Sequence, residues 1–227
     1  MHNYQGVIFD FNGTLFKDSH QHEQAWQQIA QKYMHRRITP MEFAQYVHGR
    51  SNQTILKYLF KRTLTNHELH HLASEKEKLY RSICLANPDS FHLVPGATVF
   101  FDNLVKHGIP MTIATSATID NVTFYFKHFH LAQWFDIQRI VYNTGDMPGK
   151  PDPTIFVQAL NRLYLEPSAT VVFEDALSGI QAAKNAQIKT IIGLVSSDNQ
   201  PILQNCQDLK YRITDFRSPI LTQLFLN

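Results

Sequence analysis

Four short stretches of the chain hold side chains suited to polar chemistry, and three of them close an apolar run. Asp10 and Asn12 close the run that begins at Gly6. Thr115 and Ser116 follow Met111-Thr112-Ile113-Ala114, and Glu174 and Asp175 follow Thr170-Val171-Val172-Phe173. Lys150 lies in the segment Gly149-Lys150-Pro151-Asp152-Pro153. Three carboxylates drawn together cannot all stay ionised without a cation. An all-oxygen donor set suits Mg²⁺, which keeps its waters and pairs with a substrate phosphate. Hydroxyls and a lysine supply donors and positive charge for phosphate oxygens. One carboxylate is then left to attack as a nucleophile.

These residues are far apart in sequence, so the fold must gather them. The run Gly6-Val7-Ile8-Phe9 is nearly continuous, β-branched and aromatic, as expected of a parallel strand buried on both faces. Further strands are expected at Met111–Ala114, Ile137–Tyr142, Thr170–Phe173 and Lys189–Gly193, with helices between them. An edge strand near Tyr211–Ile213 and a closing helix over Leu221–Phe225 complete the pattern. Strand-helix alternation of this kind implies an α/β fold, a Rossmann-like doubly wound parallel sheet. Ligands of such sheets bind outside the carboxyl ends of the strands, where all four stretches would meet.

Between about Asp18 and Ala86 the pattern changes. Gly49 is the only glycine there, and apolar residues recur at helical spacing: Ala25, Ile29 and Tyr33, then Ile55, Tyr58 and Leu59, then Leu69, Leu72, Leu79 and Ile83. Thr39-Pro40-Met41-Glu42 carries a helix-start signal with Pro40 at the first helical position, and Thr65 with Glu68 fits a capping box. An inserted α-helical domain is therefore expected over residues 17–89, with residues 1–16 and 90–227 forming the core.

Composition narrows the function classes. With 44% hydrophobic and 18% charged residues in a chain of 227, a packed core is expected and disorder is not. A net charge of +2 without a basic stripe gives no nucleic-acid partner, and no apolar run is long enough for a membrane span. Cys84 and Cys206 are too distant for a metal-ligand spacing. The start of the chain lacks a basic region leading into an apolar stretch, so a cytoplasmic setting is expected. Most of the 12 histidines, including His67, His70 and His71, are read as solvated helix surface.

Asp10-Phe11-Asn12-Gly13-Thr14-Leu15, Thr115 after its strand, Gly149-Lys150-Pro151-Asp152-Pro153 and Glu174-Asp175 before Gly179 resemble, in order and spacing, the four motifs of the haloacid dehalogenase superfamily. The segment Asp18 to Trp26 resembles the cap entry of its β-phosphoglucomutase and phosphoglycolate phosphatase branch, and Val94-Pro95-Gly96 the return into the core. The resemblance implies a Mg²⁺-dependent hydrolase, a phosphatase of a small phosphorylated metabolite. Asp10 would be the nucleophile that becomes an aspartyl-phosphate. Asp10, the backbone carbonyl of Asn12 and Asp175 would bind Mg²⁺, with Glu174 as a ligand or a support for one. Thr115 and Lys150 would hold the phosphoryl group, aided by the backbone of Ser116. In the cap, Gly49 and Arg50 would face the substrate, with Lys76 or Lys78 as further candidates, and a cap of this size favours small metabolites over proteins.

The chain departs from the pattern at Asn12. Phosphatases of the family usually carry aspartate there, which protonates the leaving oxygen and then deprotonates the attacking water. An amide cannot exchange a proton in that way. Either another residue substitutes, with His22 the candidate; or the substrate's leaving group needs no proton, as in an acyl or aryl phosphate; or the protein binds a phosphometabolite in a degenerate site as a regulator. A phosphosugar mutase is disfavoured by Asn12 and by His48, which stands where the mutase pattern has lysine. A C–X bond hydrolase is disfavoured by the Glu174-Asp175 pair, which calls for a metal.

Overall fold

The computed structural model describes residues 4–48 and 50–225. The chain divides into two compact units, Asp18–His92 and Met1–Lys17 with Leu93–Asn227.

The first unit is all helical: α1 (Ser19–Met34), the short α2 (Pro40–Glu42) running into a wide turn over Phe43–Val47, α3 (Asn52–Phe60) and α4 (Asn66–Ala86). Both sequence-level start signals are formed. Thr39 Oγ1 accepts from the Glu42 amide at 3.2 Å, and the Thr39 amide donates to the Glu42 carboxylate at 2.9 Å. Thr65 and Glu68 repeat the exchange at 3.2 and 2.7 Å. Each box satisfies helix-end donors that otherwise lack partners. The apolar faces meet in one core that includes Trp26, Ile29, Leu56, Leu59 and Leu72.

The second unit is a six-stranded, all-parallel sheet in the order β3-β2-β1-β4-β5-β6. Its strands are β1 (Gly6–Phe9), β2 (Met111–Thr118), β3 (Val141–Asn143), β4 (Thr170–Glu174), β5 (Thr190–Leu194) and β6 (Tyr211–Ile213). Helices α5 (Ala97–Lys106), α6 (Ile119–His128), α7 (Thr154–Leu163) and α8 (Leu177–Asn185) connect them, followed by the short α9 (Gln200–Leu203) and α10 (Pro219–Phe225). β1 and β4 are buried along their whole length, which explains their unbroken apolar runs.

Two strands differ from expectation. Ile137–Arg139 is a 3₁₀ turn, and β3 is confined to Val141–Asn143. The Asp136 carboxylate accepts from the Gln138 amide at 2.9 Å, and the Thr112 hydroxyl donates to the Arg139 carbonyl at 2.7 Å. Those bonds take the place of a ladder. β2 continues past Ser116 because, after a register shift, Thr118 pairs with Asn143.

Register delivers the site. Phe9 is paired with Ile113 on one side and Phe173 on the other. Asp10 and Glu174 each stand one step further, and the Asp10 amide extends the ladder to the Phe173 carbonyl at 3.0 Å. Beneath them is a ring cluster. Phe9 lies 5.1 Å from Phe173 in a stacked pair, and 5.3 to 6.2 Å from Phe100, Phe101, Phe135 and Phe216 in edge contacts.

Phe9→Ala is therefore expected to cost about 3–5 kcal/mol of unfolding free energy in urea titrations, as for other buried aromatics. The capping boxes make a pH prediction. The Thr39 amide, then the Tyr58 hydroxyl, hold the Glu42 carboxyl at about 2, and Arg62, then the Thr65 amide, hold Glu68 at about 2, against an ordinary 4.5. Carboxyls depressed by folding stabilise above their unfolded value and lose that contribution as acid protonates them. Stability is expected to fall as pH drops from about 4.5 towards 2, and Glu42→Gln with Glu68→Gln to flatten that dependence, read by circular dichroism.

Candidate active site

At the carboxyl edge of the sheet Lys150 is the central group. Its ammonium donates to Asp10 Oδ1 and to Glu174 Oε1, each at 2.5 Å, and its side chain is 8% exposed. Its stem places the charge 5.2 Å from the Phe156 ring of α7. Burial alone would pull this ammonium down; the charges of Asp10 and Glu174 more than reverse that and hold it above the ordinary lysine value.

Glu174 ends β4 and is 1% exposed. Its second oxygen accepts from the amides of Asp175 and Ala176 at 2.9 and 3.0 Å. Asp175 accepts from the Thr14 hydroxyl at 3.0 Å, and its carbonyl accepts from Asn199 at 2.9 Å. Burial, then the neighbouring charges of Glu174 and Asp10, push the Asp175 carboxyl well above the usual range.

Two glycines make room for these carboxylates. A Cβ on Gly13 would lie 2.1 Å from an Asp175 oxygen, and one on Gly179 would lie 1.6 Å from Glu174 Oε1. Gly13 also has a φ of +84°, which a side chain would disfavour. The turn after β1 is closed by the Phe16 amide donating to the Phe11 carbonyl at 3.0 Å.

Asn12 sits in that turn. Its Nδ2 donates to the Tyr125 hydroxyl at 2.8 Å, and its Oδ1 accepts from Thr115 at 3.4 Å. Tyr125, on α6, is 1% exposed and stacks on Phe11 with ring centres 4.2 Å apart. Thr115 is buried and also accepts from the Ala117 amide at 3.1 Å, whereas Ser116 is exposed.

Carboxylate oxygens of Asp10, Glu174 and Asp175 converge to within 4.8 Å of one another. Three carboxylates against one ammonium leave two negative charges when all are ionised. That excess adds to burial in raising Asp175. A divalent cation would remove it, and the donors are all hard oxygens, so the residues fit Mg²⁺.

A family model described as haloacid dehalogenase-like hydrolase matches residues 7–192. The chain belongs to that family. It is similar to a phosphorylated carbohydrates phosphatase of Thermotoga maritima, 29% identical over 204 residues, covering 86% of this chain and 87% of that protein. It is also similar to the fructose-1-phosphate phosphatase YqaB of Escherichia coli, 28% identical over 191 residues, covering 83% of this chain and 95% of that protein. A family IA, variant 3 hydrolase of the same kind from Entamoeba histolytica has a solved structure similar to this one. The TM-score is 0.88 at 32% identity, with 98% of this chain and 100% of that chain covered.

For this haloacid dehalogenase-like hydrolase, Asp10, Asn12, Thr115, Lys150, Glu174 and Asp175 all stand at the same sheet edge. His22 and Arg50 belong to the helical unit, and Gly49 lies outside the described residues. His22 is not a bare surface histidine. Lys76 approaches its Nδ1 at 2.6 Å, Asp18 its Nε2 at 3.3 Å, and its ring stacks on Tyr80 at 3.9 Å. Lys76 is 2% exposed and pairs with Glu77 at 2.9 Å, while Arg50 and Lys78 are exposed. Tyr125, Thr14 and Asn199 were not predicted. Tyr125 sits among apolar residues in mid-helix, and nothing in its spacing marks it.

Gly179→Ala is expected to crowd Glu174 and destabilise by about 1–3 kcal/mol, a fall of about 5 °C in the unfolding midpoint. Gly149→Ala, whose new Cβ meets nothing within 4 Å, is the matched control in calorimetry.

Proposed function

We propose that the protein is a Mg²⁺-dependent phosphatase of a small phosphorylated metabolite and that Asp10 carries the phosphoryl group as an aspartyl-phosphate. The observation that carries this is the Lys150 ammonium shared between Asp10 and Glu174 at 2.5 Å, beside Asp175. That pairing suits a carboxylate kept ionised for attack and a cation ready to take up phosphoryl charge. Phosphatase activity in the named relatives supports the same reading.

In this scheme Asp10 attacks phosphorus in line with the leaving oxygen. Lys150 and the Thr115 hydroxyl hold the phosphoryl oxygens, and the Ser116 backbone would assist. Asp10, the Asn12 carbonyl and Asp175 would hold Mg²⁺, with Glu174 steadying Lys150 and the turn after β4. Bound there, the ion would offset phosphoryl charge and orient the substrate. Asn12 keeps its place in the turn but moves no proton. For His22 to replace it, the ring must first give up Lys76 or Asp18.

A second reading, a phosphometabolite-binding regulator, is favoured by Asn12 alone. Hydrolysis of p-nitrophenyl phosphate and acetyl phosphate separates the two. The phosphatase turns these over, stops when the metal is chelated, recovers with Mg²⁺, and falls to background in Asp10→Ala. Phosphate-ester binding by calorimetry with no turnover under any of these conditions would instead establish the regulator.

A further inference from the structure

Asn12 is clamped rather than loose. Its amide donates to the Tyr125 hydroxyl at 2.8 Å and its carbonyl oxygen accepts from Thr115 at 3.4 Å, so both ends of the side chain are occupied by hydroxyls. Around it, the titratable groups of the sheet edge are committed. Asp10 and Glu174 share Lys150, the other Glu174 oxygen takes two backbone amides, and Asp175 takes Thr14. Tyr125 is buried against Phe11, and its hydroxyl oxygen accepts a hydrogen bond from the Asn12 amide. In the helical unit, His22 has Lys76 at one ring nitrogen and Asp18 at the other.

From this arrangement we infer that the site is built for phosphates whose leaving group departs without a proton, acyl or aryl phosphates, and that the phosphorylated Asp10 outlives the first step. This rests on the phosphatase reading above and deepens it. In the first step an Asp10 oxygen bonds to phosphorus while the bond from phosphorus to the leaving oxygen breaks. The leaving group takes the electron pair and goes as a carboxylate or phenolate, so no proton is needed. In the second step water bonds to phosphorus, the bond to Asp10 breaks, and the water's proton passes to a phosphoryl oxygen, giving dihydrogen phosphate. For acyl phosphates and aryl phosphates with a weakly basic leaving group that step, with no carboxylate at position 12 to draw the proton away, is the slower one. Sugar phosphates leave as basic alkoxides and fall at the slow end of the series. The inference thus sets this chain's preferred substrates apart from those in the names of the two phosphatases described above.

The clamp also makes the test clean. Aspartate is isosteric with asparagine, and both Tyr125 and Thr115 are hydroxyls able to donate to a carboxylate. Asn12→Asp is therefore expected to fold with the side chain in the same place. The experiment compares wild type with Asn12→Asp, in Mg²⁺, on acetyl phosphate, p-nitrophenyl phosphate, phenyl phosphate and glycerol phosphate. Rapid quench and intact-mass detection of hydroxylamine-labile phosphoenzyme provide a second readout.

For the wild type a burst approaching one phosphoryl group per site, followed by one shared slow rate, is expected on acetyl phosphate and p-nitrophenyl phosphate. On phenyl and glycerol phosphate the first step becomes limiting, the burst is lost and the rate falls steeply with leaving-group basicity. The gain from Asn12→Asp should grow along the series to about 10²–10⁴-fold on glycerol phosphate, the worth of general acid–base catalysis. The burst should vanish in that variant. A wild type as fast as Asn12→Asp on glycerol phosphate, with no phosphoenzyme, would overturn the inference while leaving the phosphatase reading intact. Silence of both proteins on every ester would overturn both.

Discussion

One buried ammonium organises the whole sheet edge. Lys150 comes from a loop, yet it bonds carboxylates at the ends of two adjacent central strands, β1 and β4. Taking three carboxylates out of water is costly, and a single cation offsets only part of that cost. Burial, and then the charges of Glu174 and Asp10, push the Asp175 carboxyl well above its usual range. The edge is thus poised for further positive charge, and the sheet beneath it must be stiff enough to hold the carboxylates in place. The Phe9 ring cluster packs the strands at Phe9 and Phe173, the residues just before Asp10 and Glu174.

Much of the fold was legible because its signals are local. The capping boxes at Thr39 and Thr65 involve residues three apart, and each formed as the spacing implied. The β1 run and the Val171–Phe173 stretch of β4 were readable because burial on both faces favours apolar residues. The failures are tertiary. Ile137–Arg139 has strand-like composition, but the Asp136 carboxylate and the Thr112 hydroxyl tie it into a turn. β2 runs beyond Ser116 only because Asn143 is there to pair with Thr118.

The site divides in the same way. Charged residues at strand ends stand out, since a carboxylate closing an apolar run needs a reason to be there. Tyr125 and Thr14 did not stand out, because aromatic and hydroxyl side chains are ordinary inside a helix and a turn. Their role is visible only through what they touch: Asn12 for one, Asp175 for the other. His22 shows the converse case. Its type and position suggested proton transfer, whereas its neighbours engage both ring nitrogens.

The Val94 amide donates to the Leu15 carbonyl at 2.9 Å, so the segments leaving and re-entering the α/β unit are tied to each other. The polypeptide between them starts and finishes at nearly one point. Closing a loop at a fixed point costs an amount that grows only with the logarithm of its length. The sheet is therefore almost indifferent to what is threaded between Lys17 and Leu93. An insertion at this junction can be lengthened or shortened at small entropic cost to the strand ends that carry the site.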